Sequence, residues 1–518
     1  MLTKGLIRKG VYYDSVALMN AARKLGALPG ILDAAVIMAT PANKAILADS
    51  GLLIPQFKAA GEMDVLIAVK AGTADVADKA LAAVDGLLAP PRASGKQRDA
   101  LSPRSIEGAL RLLPGANLAL ISVAGRYAGR EAMTALRAGL HVMLFSDNVA
   151  LEQEIELKQY AHKHGLLVMG PDCGTAIING VPLAFANAVN RGKIGIVAAA
   201  GTGLQEVSCL ISNAGAGVSQ AIGTGGRDVK KDVGGIMFIQ ALKALAADPA
   251  TKVIVLVSKP PHPTVLKKIL SECKSIRKRV IAVFLGCDAN LLKDSKVTAC
   301  ATLEQAAQSA LSVVCNRHFL SSDRAEELLA KKAAAGVKRG QRYLRGLFSG
   351  GTFCAEAQLI WRDLLGPVHS NAPLAPELQL TDPLRSVADT MIDLGEDEFT
   401  VGRPHPMIDF TLRNQRIIAE AQDPEVAVVL LDFVLGYGAN MQPLADAMPA
   451  ISAAFAAARK ARRKVCIVAS VTGTDADPQC RAAVARGLAD AGVLVLPSNA
   501  AAARVAARIV INCRLEKK

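Results

Sequence analysis

Aromatic side chains are scarce in this sequence: Phe, Tyr and Trp make up 4% of the 518 residues, and there is one Trp. Proteins that bind single-stranded nucleic acid stack the bases on a series of aromatic side chains along a basic groove. The net charge of +14 therefore does not indicate nucleic-acid binding. We expect an anionic small molecule as the ligand instead.

Long apolar runs and paired cysteines are absent as well. No run reaches the ~20 apolar residues that cross a bilayer, and residues 1–15 lack the core of a signal peptide. We therefore expect a cytoplasmic protein without a membrane partner. The ten cysteines include no C-x-x-C pair and no Cys/His grouping at zinc spacing. This scatter predicts free, mostly buried thiols and no metal site.

The sequence does contain the pattern of an α/β protein. Short β-branched runs alternate with helical stretches, and most runs are continuously apolar, as in parallel strands buried on both faces. Three or four domains are expected from the length. The predicted strands are DAAVIMAT, DVLIAV, NLALISVAG, HVMLFS, LLVMG, KIGIVAAA, VIVLVS, VIAVFLG, VAVVLLDF, KVCIVAS and VLVLPS.

Two stretches indicate domain boundaries. Residues 87–105 are rich in Pro, Ser and charge, which predicts a linker. Residues 325–345 are rich in Lys and Ala, which predicts a helix without a strand. These breaks leave a small N-terminal domain, a central region divisible near Gly192, and a C-terminal domain.

Glycine-rich turns follow four of the strands. A turn from a strand into a helix directs unsatisfied backbone N–H groups and the positive end of the helix dipole at an anion. One turn, Gly350 and Gly351 before Thr352, predicts a helix with Thr352 as its N-cap. An ordinary tight turn is the alternative for each of the four. The predicted phosphate-binding residues are Gly201, Thr202, Gly203, Gly223, Thr224, Gly225, Gly226, Gly436, Gly438 and Asn440.

Three side chains are candidates for catalysis. His405 lies between two prolines and two residues after Arg403, which predicts an acid–base group and a cation at a substrate carboxylate. Lys259 ends a strand, where it could neutralise phosphate. Packing in stiff proline turns is the alternative for all three. Asp393 and the acidic residues 396–398 are expected to form a solvated face.

The order of these motifs resembles succinyl-CoA synthetase. MGPDCGTAI, GKIGIVAAAGTGLQEV and AIGTGGRDVKKDVGG are similar to successive blocks of its α subunit, and residues 423–499 are similar to the ligase domain of its β subunit. Over the whole length the chain resembles the FdrA family, most specifically in DLGEDEFTVGRPHPMID and DPEVAVVLLDFVLGYGAN. The resemblance implies an acyl-CoA-synthetase-like fold and members that act beside partner subunits as oxamate carbamoyltransferase.

The resemblance also assigns the domains. It implies an N-terminal α/β domain over residues 1–90 and a Rossmann-like CoA-binding-type domain over residues 105–190. A succinyl-CoA-synthetase-like ligase domain would span residues 191–325, and a flavodoxin-like ligase-type domain would span residues 345–518. We expect parallel sheets in the Rossmann-like domain and the two ligase-type domains.

Two departures from the synthetase affect the predicted chemistry. The strand VIAVFLG is followed by GCDANLLKDS, where the synthetase has its phosphorylated histidine, and VSKPPHP with Lys259 replaces a turn that carries a glutamate. The resemblance to the FdrA family implies carbamoyl transfer between oxalurate or oxamate and phosphate. The two departures predict that it proceeds without a phosphohistidine, at helix N-termini near Gly201 and Gly438. No cofactor is firmly predicted. Partner subunits and a homo-oligomer are expected. The alternatives are an acyl-CoA ligase that uses CoA and a nucleotide, and a noncatalytic scaffold or sensing subunit.

Overall fold

The described part of the protein contains four β-sheets covered by helices. The computed structural model describes residues 2–11, 13, 15–40, 43–44, 47–48, 50–88, 103, 105–293, 296–316, 323–400 and 404–515. Arg403 and most of the predicted linker, residues 87–105, lie outside these ranges. Where the structure describes the chain, no helix is both long and apolar enough to cross a membrane.

The N-terminal sheet is antiparallel, with the strand order β1-β3-β2. Its elements are β1 (Leu2–Arg8), α1 (Ser15–Gly26), β2 (Ile31–Met38), a 3-10 helix (Pro55–Ala59), β3 (Val65–Ala71) and α2 (Ala74–Leu88). Both helices pack on one face, and Leu47 and Phe57 cover the other. The central strand β3 is therefore buried on both faces, which is why its sequence looks like that of a parallel strand.

The second sheet has three parallel strands in the order β4-β5-β6. Its elements are α3 (Ile106–Leu112), β4 (Leu118–Ile121), α4 (Gly125–Arg137), β5 (His141–Leu144), α5 (Leu151–Lys163) and β6 (Val168–Met169).

The third sheet has seven strands in the order β13-β12-β11-β9-β10-β7-β8, of which β7 and β8 form an antiparallel hairpin at one edge. Its elements are β7 (Thr175–Ile178), β8 (Val181–Ala184), β9 (Arg191–Ala198), α6 (Gly201–Asn213), β10 (Val218–Gly223), α7 (Ile236–Ala247), β11 (Val253–Ser258), α8 (Pro263–Ser275), β12 (Arg279–Phe284), a 3-10 helix (Ala289–Leu292), β13 (Val297–Ala299) and α9 (Leu303–Cys315).

The fourth sheet has six parallel strands in the order β15-β16-β14-β17-β18-β19. The elements that lead into it or belong to it are α10 (Asp323–Ala334), β14 (Tyr343–Phe348), α11 (Gly351–Leu365), β15 (His369–Ser370), a 3-10 helix (Pro376–Leu378), β16 (Thr390–Asp393), α12 (Asp397–Thr400), α13 (Thr411–Gln422), β17 (Val426–Val434), α14 (Pro443–Lys460), β18 (Cys466–Thr472), α15 (Arg481–Asp490), β19 (Leu494–Leu496) and α16 (Asn499–Leu515).

The third and fourth sheets share one strand order. Five parallel strands of each run β10-β9-β11-β12-β13 and β16-β14-β17-β18-β19, so the first strand lies between the second and the third. This is the flavodoxin-like order, in which ligands bind at the carboxyl ends of the strands near the first one. The predicted α/β fold with parallel-sheet domains is confirmed.

Helices join these two sheets into one unit. Helix α6 packs on α9 and α11, and α11 packs on α16. Their buried side chains form one continuous core that includes Val207, Phe353 and Val505. The carboxyl ends of the two sheets are thereby held together.

Strand β14 corrects one expectation, since it begins at Tyr343 inside the stretch predicted to contain no strand. Arg345 interrupts the apolar pattern there, yet it is 3% exposed. Its guanidinium pairs with Glu420 at 2.9 Å and with Asp423 at 2.9 Å. The expected free cysteines are confirmed: all ten are free and six are buried.

Candidate functional site

Two glycine–threonine turns meet where the third and fourth sheets face each other. Helix α6 follows β9, the first of the five parallel strands in the third sheet, and α11 follows β14, the first strand of the fourth sheet. A Cβ atom placed on Gly350 would lie 2.9 Å from Thr202 Cγ2, and one placed on Gly203 would lie 3.1 Å from Thr352 Cγ2. Each threonine therefore packs on a glycine of the other turn, and the two helices begin beside each other.

The first turns of both helices lack a side-chain cap. The N-cap residues are Ala200 and Gly350, and neither makes a side-chain capping hydrogen bond. Thr352, predicted to be the N-cap, lies inside the helix instead. The N–H groups of residues 201–203 and 351–352 have no acceptor within their own helices. Two helix dipoles and these amides thus favour an anion at the same place.

A buried ion pair fixes the turn before α11. Asp432 accepts hydrogen bonds from the backbone N–H groups of Ser349, at 2.7 Å, and Gly350, at 2.8 Å. Arg413 donates to Ser349 Oγ at 2.8 Å and lies over the rings of Phe410 and Phe433. Burial raises the pKa of Asp432, which the Arg413 charge opposes. Both partners are fully buried, so they support the turn rather than contact a ligand.

The side chain of Asp393 lies beside the first residue of α11. Asp393 ends β16, is 2% exposed, and its Oδ2 lies 2.4 Å from the position of a Cβ on Gly351. The N–H of Gly395 donates to its Oδ1 at 2.9 Å. Burial is the main cause that raises the pKa of Asp393 to about 7, and the negative charge of Glu396 adds to it. The positive charge of Lys259 opposes this rise. The expectation of a solvated face is wrong for Asp393, although residues 396–398 are exposed.

His405 and Lys259 lie close to this carboxyl group. His405 Nε2 and Asp393 Oδ1 are 3.1 and 3.2 Å from the same Cβ position on Gly395. Burial lowers the pKa of His405 to about 4, and its Nδ1 accepts the N–H of Met407 at 3.2 Å. His405 is therefore a neutral imidazole with its hydrogen on Nε2. Lys259 is exposed.

The turn at residues 436–440 differs from the prediction, because Gly438 does not begin a helix. Helix α14 begins at Pro443, and the polar atoms of the turn bind other parts of the protein. The N–H of Gly436 donates to Gln479 at 3.1 Å, and the N–H of Asn440 donates to Met407 at 2.8 Å. The Asn440 side chain donates to Asp446 at 2.7 Å. Gly436 and Asn440 thus stabilise the conformation of the loop. The second helix that begins at the site is α11, and not the helix predicted to begin at Gly438.

Most residues of the turn at 223–226 also contact other parts of the protein and are not available to a ligand. A Cβ on Gly223 would lie 2.4 Å from Thr175 O, and one on Gly225 would lie 2.3 Å from Pro171 O. The N–H of Thr224 donates to Ala198 O at 2.8 Å, and the residue is fully buried. Only Gly226 in this turn is exposed at the strand ends. The glycines allow two loops to approach closely.

A small cavity lies beside Phe185 and Gly438. It has a volume of ≈ 140 Å³ and is lined by Leu120, Ser122, Phe145, Ala184, Phe185 and Gly438. Leu120 lies on β4, and Ser122 and Phe145 follow the ends of β4 and β5. The ring centroids of Phe185 and His405 are 6.2 Å apart. Phe185, which lines the cavity together with residues of the second sheet, thus also lies beside His405.

A repeated motif signals the pairing that the glycine patterns alone did not reveal. Residues 201–206 read GTGLQE and residues 351–356 read GTFCAE, so both share Gly-Thr-x-x-x-Glu. Glu206 accepts the N–H of Asn499 at 2.9 Å, and Glu356 accepts the N–H of Leu303 at 2.7 Å. Each glutamate caps the last helix of the other sheet, α16 or α9. The repeat points to the turn of residues 350–352 as the partner of residues 201–203.

Comparison with known families supports a relation to CoA ligases. Residues 347–509 match the CoA-ligase family, and residues 1–103 match the heavy metal-associated domain of AllF. The first range contains Gly351 and Asp393. The second contains neither Cys nor His, two of the common metal-binding residue types.

Relatives are found over the whole chain and over part of it. The uncharacterized protein YahF of Escherichia coli (strain K12) is 42% identical over 502 residues, which cover 96% of this chain and 97% of YahF. The alpha subunit of an ADP-forming succinate–CoA ligase from Aquifex aeolicus (strain VF5) is 30% identical over 149 residues, 28% of this chain and 48% of that subunit. Among solved structures, the dinucleotide forming acetyl-coenzyme A synthetase 1 of Ca. Korarchaeum cryptofilum has 16% identity and a TM-score of 0.29 over 77% of this chain and 84% of that one.

Proposed function

Because the chain belongs to the family of Escherichia coli YahF and contains a CoA-ligase domain, we propose that it transfers an acyl group by way of an acyl phosphate. We propose carbamoyl as the acyl group, exchanged between oxalurate and phosphate. One observation carries the proposal: two helices that begin with Gly-Thr and have no side-chain cap start beside each other. Membership of the FdrA family stays a prediction.

The chemistry of this transfer fits the groups at the site. An oxygen of phosphate forms a bond to the ureido carbonyl carbon of oxalurate, the C–N bond to the oxamate nitrogen breaks, and that nitrogen takes a proton. The products are carbamoyl phosphate and oxamate. Fixed N–H groups at the two helix starts hold the phosphate without a covalent phosphoenzyme. Lys259 adds a positive charge.

Asp393 is the proposed proton donor. Its carboxyl is neutral below a pH of about 7, and in that form it does not repel phosphate and has a proton to give. His405 cannot supply that proton at neutral pH, because a neutral imidazole is a weak acid. Its Nε2–H instead donates a hydrogen bond toward the site. Arg403 remains a proposed carboxylate-binding residue outside the described ranges.

Acid–CoA ligation is the second candidate, and the cavity beside Phe185 favours it. The cavity opens at the carboxyl ends of β4 and β5, where Rossmann-like domains bind their ligands. Its volume of ≈ 140 Å³ would receive the narrow thiol end of CoA. This reaction would yield a thioester and would consume a nucleotide.

Product analysis of the full chain, alone and with its partner subunits, tests the proposal. Oxalurate and phosphate should yield carbamoyl phosphate, and Gly201→Val should lower the rate about 10²-fold by occupying the anion site. Gly201 is exposed, and the atom nearest to a Cβ placed there is Thr175 Oγ1 at 3.8 Å, so the first carbon of the new side chain meets no clash. Gly72→Val is the matched control, an exposed strand-to-helix turn with no atom within 4 Å.

The outcomes separate the three functions. If the chain forms a thioester from an acid and CoA in the presence of ATP, and no carbamoyl phosphate, acid–CoA ligation replaces carbamoyl transfer as the proposed function. Equal turnover of Gly201→Val and the native chain would mean that a partner subunit carries the reaction and that this chain is a scaffold.

A further inference from the structure

A larger cavity lies at the other end of the fourth sheet. Its volume is ≈ 530 Å³, within the range of sites for small organic ligands. The floor is apolar and contains Cys466 and Leu494, the first residues of β18 and β19. Phe455 of α14 and Leu329 of α10 form the walls. Since the glycine–threonine turns follow the carboxyl ends of the strands, this cavity is separate from the site described above.

Four cations and no carboxylate line this cavity. They are Lys332, Arg459, Arg463 and Lys464. Arg463 donates to the backbone oxygens of residues 421–423, the two Nη2 bonds measuring 2.9 and 3.1 Å, and Lys464 donates to those of Ala333 and Ala335, each at 2.7 Å. These carbonyl groups lie at the C-terminal ends of α13 and α10, so Arg463 and Lys464 cap two helices whose dipoles offset part of their charge. Lys332 and Arg459 are exposed and make no such bond within the described part of the chain. These two side chains therefore give the rim its positive charge above an apolar floor.

We propose that this cavity binds an amphipathic organic anion. Its apolar body would lie on the floor between Phe455 and Leu494, where burial of apolar surface favours binding. Its carboxylate or phosphate would lie at the rim, close to Lys332 and Arg459, and the planar guanidinium of Arg459 is suited to these anions. The inference uses residues that take no part in the proposed acyl transfer, so either can fail without the other.

Calorimetric titration of the full chain tests this site. The probes are octanoate and octyl phosphate, with octanol as the uncharged analogue and inorganic phosphate as the head group alone. Octanoate and octyl phosphate should bind at least tenfold more tightly than either control, and the stronger of the two identifies the head group. The double variant Lys332→Glu with Arg459→Glu should lose at least tenfold in affinity. Both residues are exposed, so the fold should tolerate the reversal.

Lys460→Glu is the matched control, because Lys460 is exposed on α14 beside Arg459 but does not line the cavity. This variant should bind octanoate like the native chain. Octanol that binds as tightly as octanoate, or a double variant with native affinity, would overturn the proposal. A double variant that changes only the oligomeric state, with no octanoate binding by the native chain, would assign the cavity to a second copy and would also overturn it.

Discussion

Asp393 carries the proton chemistry of the proposed transfer. Its carboxyl group is 2% exposed at the start of α11, and burial raises its pKa to about 7. The neutral form accepts phosphate beside it and donates the proton. Carbamoyl phosphate formation from oxalurate should therefore slow as the pH rises through about 7.

Replacement of Asp393 by Asn tests this role. Asn keeps the shape but has no proton to give, so the rate should fall about 10²-fold or more. The decline above pH 7 should disappear from the pH–rate profile of Asp393→Asn. Glu398→Gln, an exposed carboxylate of the same segment, should keep the native profile. An unchanged decline in Asp393→Asn would exclude Asp393 as the group that titrates.

Lys158, unlike Asp393, has a purely structural role, because its ammonium group is fully buried and paired with carboxylates. It lies 2.8 Å from Glu154 and 2.9 Å from Asp228, and it donates to Thr224 O at 3.0 Å. Lys158→Met should lower the free energy of unfolding by about 3–5 kcal/mol, because it leaves two buried carboxylates without this partner. Chemical denaturation measures the loss. Lys163→Met, an exposed lysine of the same helix, should change little, and an equal loss in both would contradict the assignment.

At the scale of elements, helices α6 and α11 act as a pair. Each begins with a glycine–threonine turn against the other, and each places a glutamate under the last helix of the other sheet. Burial raises the pKa of Glu206, and it raises the pKa of Glu356 to about 7. The stability of the contact between the third and fourth sheets should therefore depend on the protonation of these two carboxyl groups.

The pH dependence of stability follows from the raised pKa of Glu356. A carboxyl whose pKa is higher in the folded state contributes stability fully below its unfolded value, near 4.5, and loses it as the pH rises through about 7. Glu356→Gln stays neutral, so its thermal midpoint should fall less than the native one between pH 5 and pH 8. Its amide can donate to Asn499 Oδ1, which has no hydrogen-bond partner among the described residues. Glu131→Gln, on an exposed face, should behave like the native chain, and a native slope in Glu356→Gln would contradict this reading.

The elements also show how far the sequence alone could lead. Continuous apolar runs predicted most of the parallel strands, because a strand covered on both faces needs apolar side chains throughout. Strand β14 was missed because Arg345 interrupts the apolar run. Its burial depends on ion pairs with Glu420 and Asp423, which are 75 and 78 residues away in the sequence. Gly438 was expected to start a helix because local sequence does not reveal that Gln479 and Ala186 bind its loop.

At the scale of the molecule, the site exists because two similar sheets share one core. Their strand order follows from the alternation of strands and helices, but the contact between Thr202 and Gly350 joins positions far apart in sequence. Asp393 enters the site for the same reason, since α11 packs against the end of β16. The residue types could be predicted, whereas their assembly depended on long-range packing.

Hydrogen exchange of the full chain with saturating phosphate, against chloride at equal ionic strength, tests the pairing of the two turns most directly. Amides of residues 201–203 and 351–352 should exchange more slowly together in phosphate, and Gly201→Val should abolish the protection at both turns. The amides of Gly436 and Asn440, already bonded within the protein, should not respond. Protection confined to residues 436–440, or absent from residues 351–352, would contradict an anion site between the two helices.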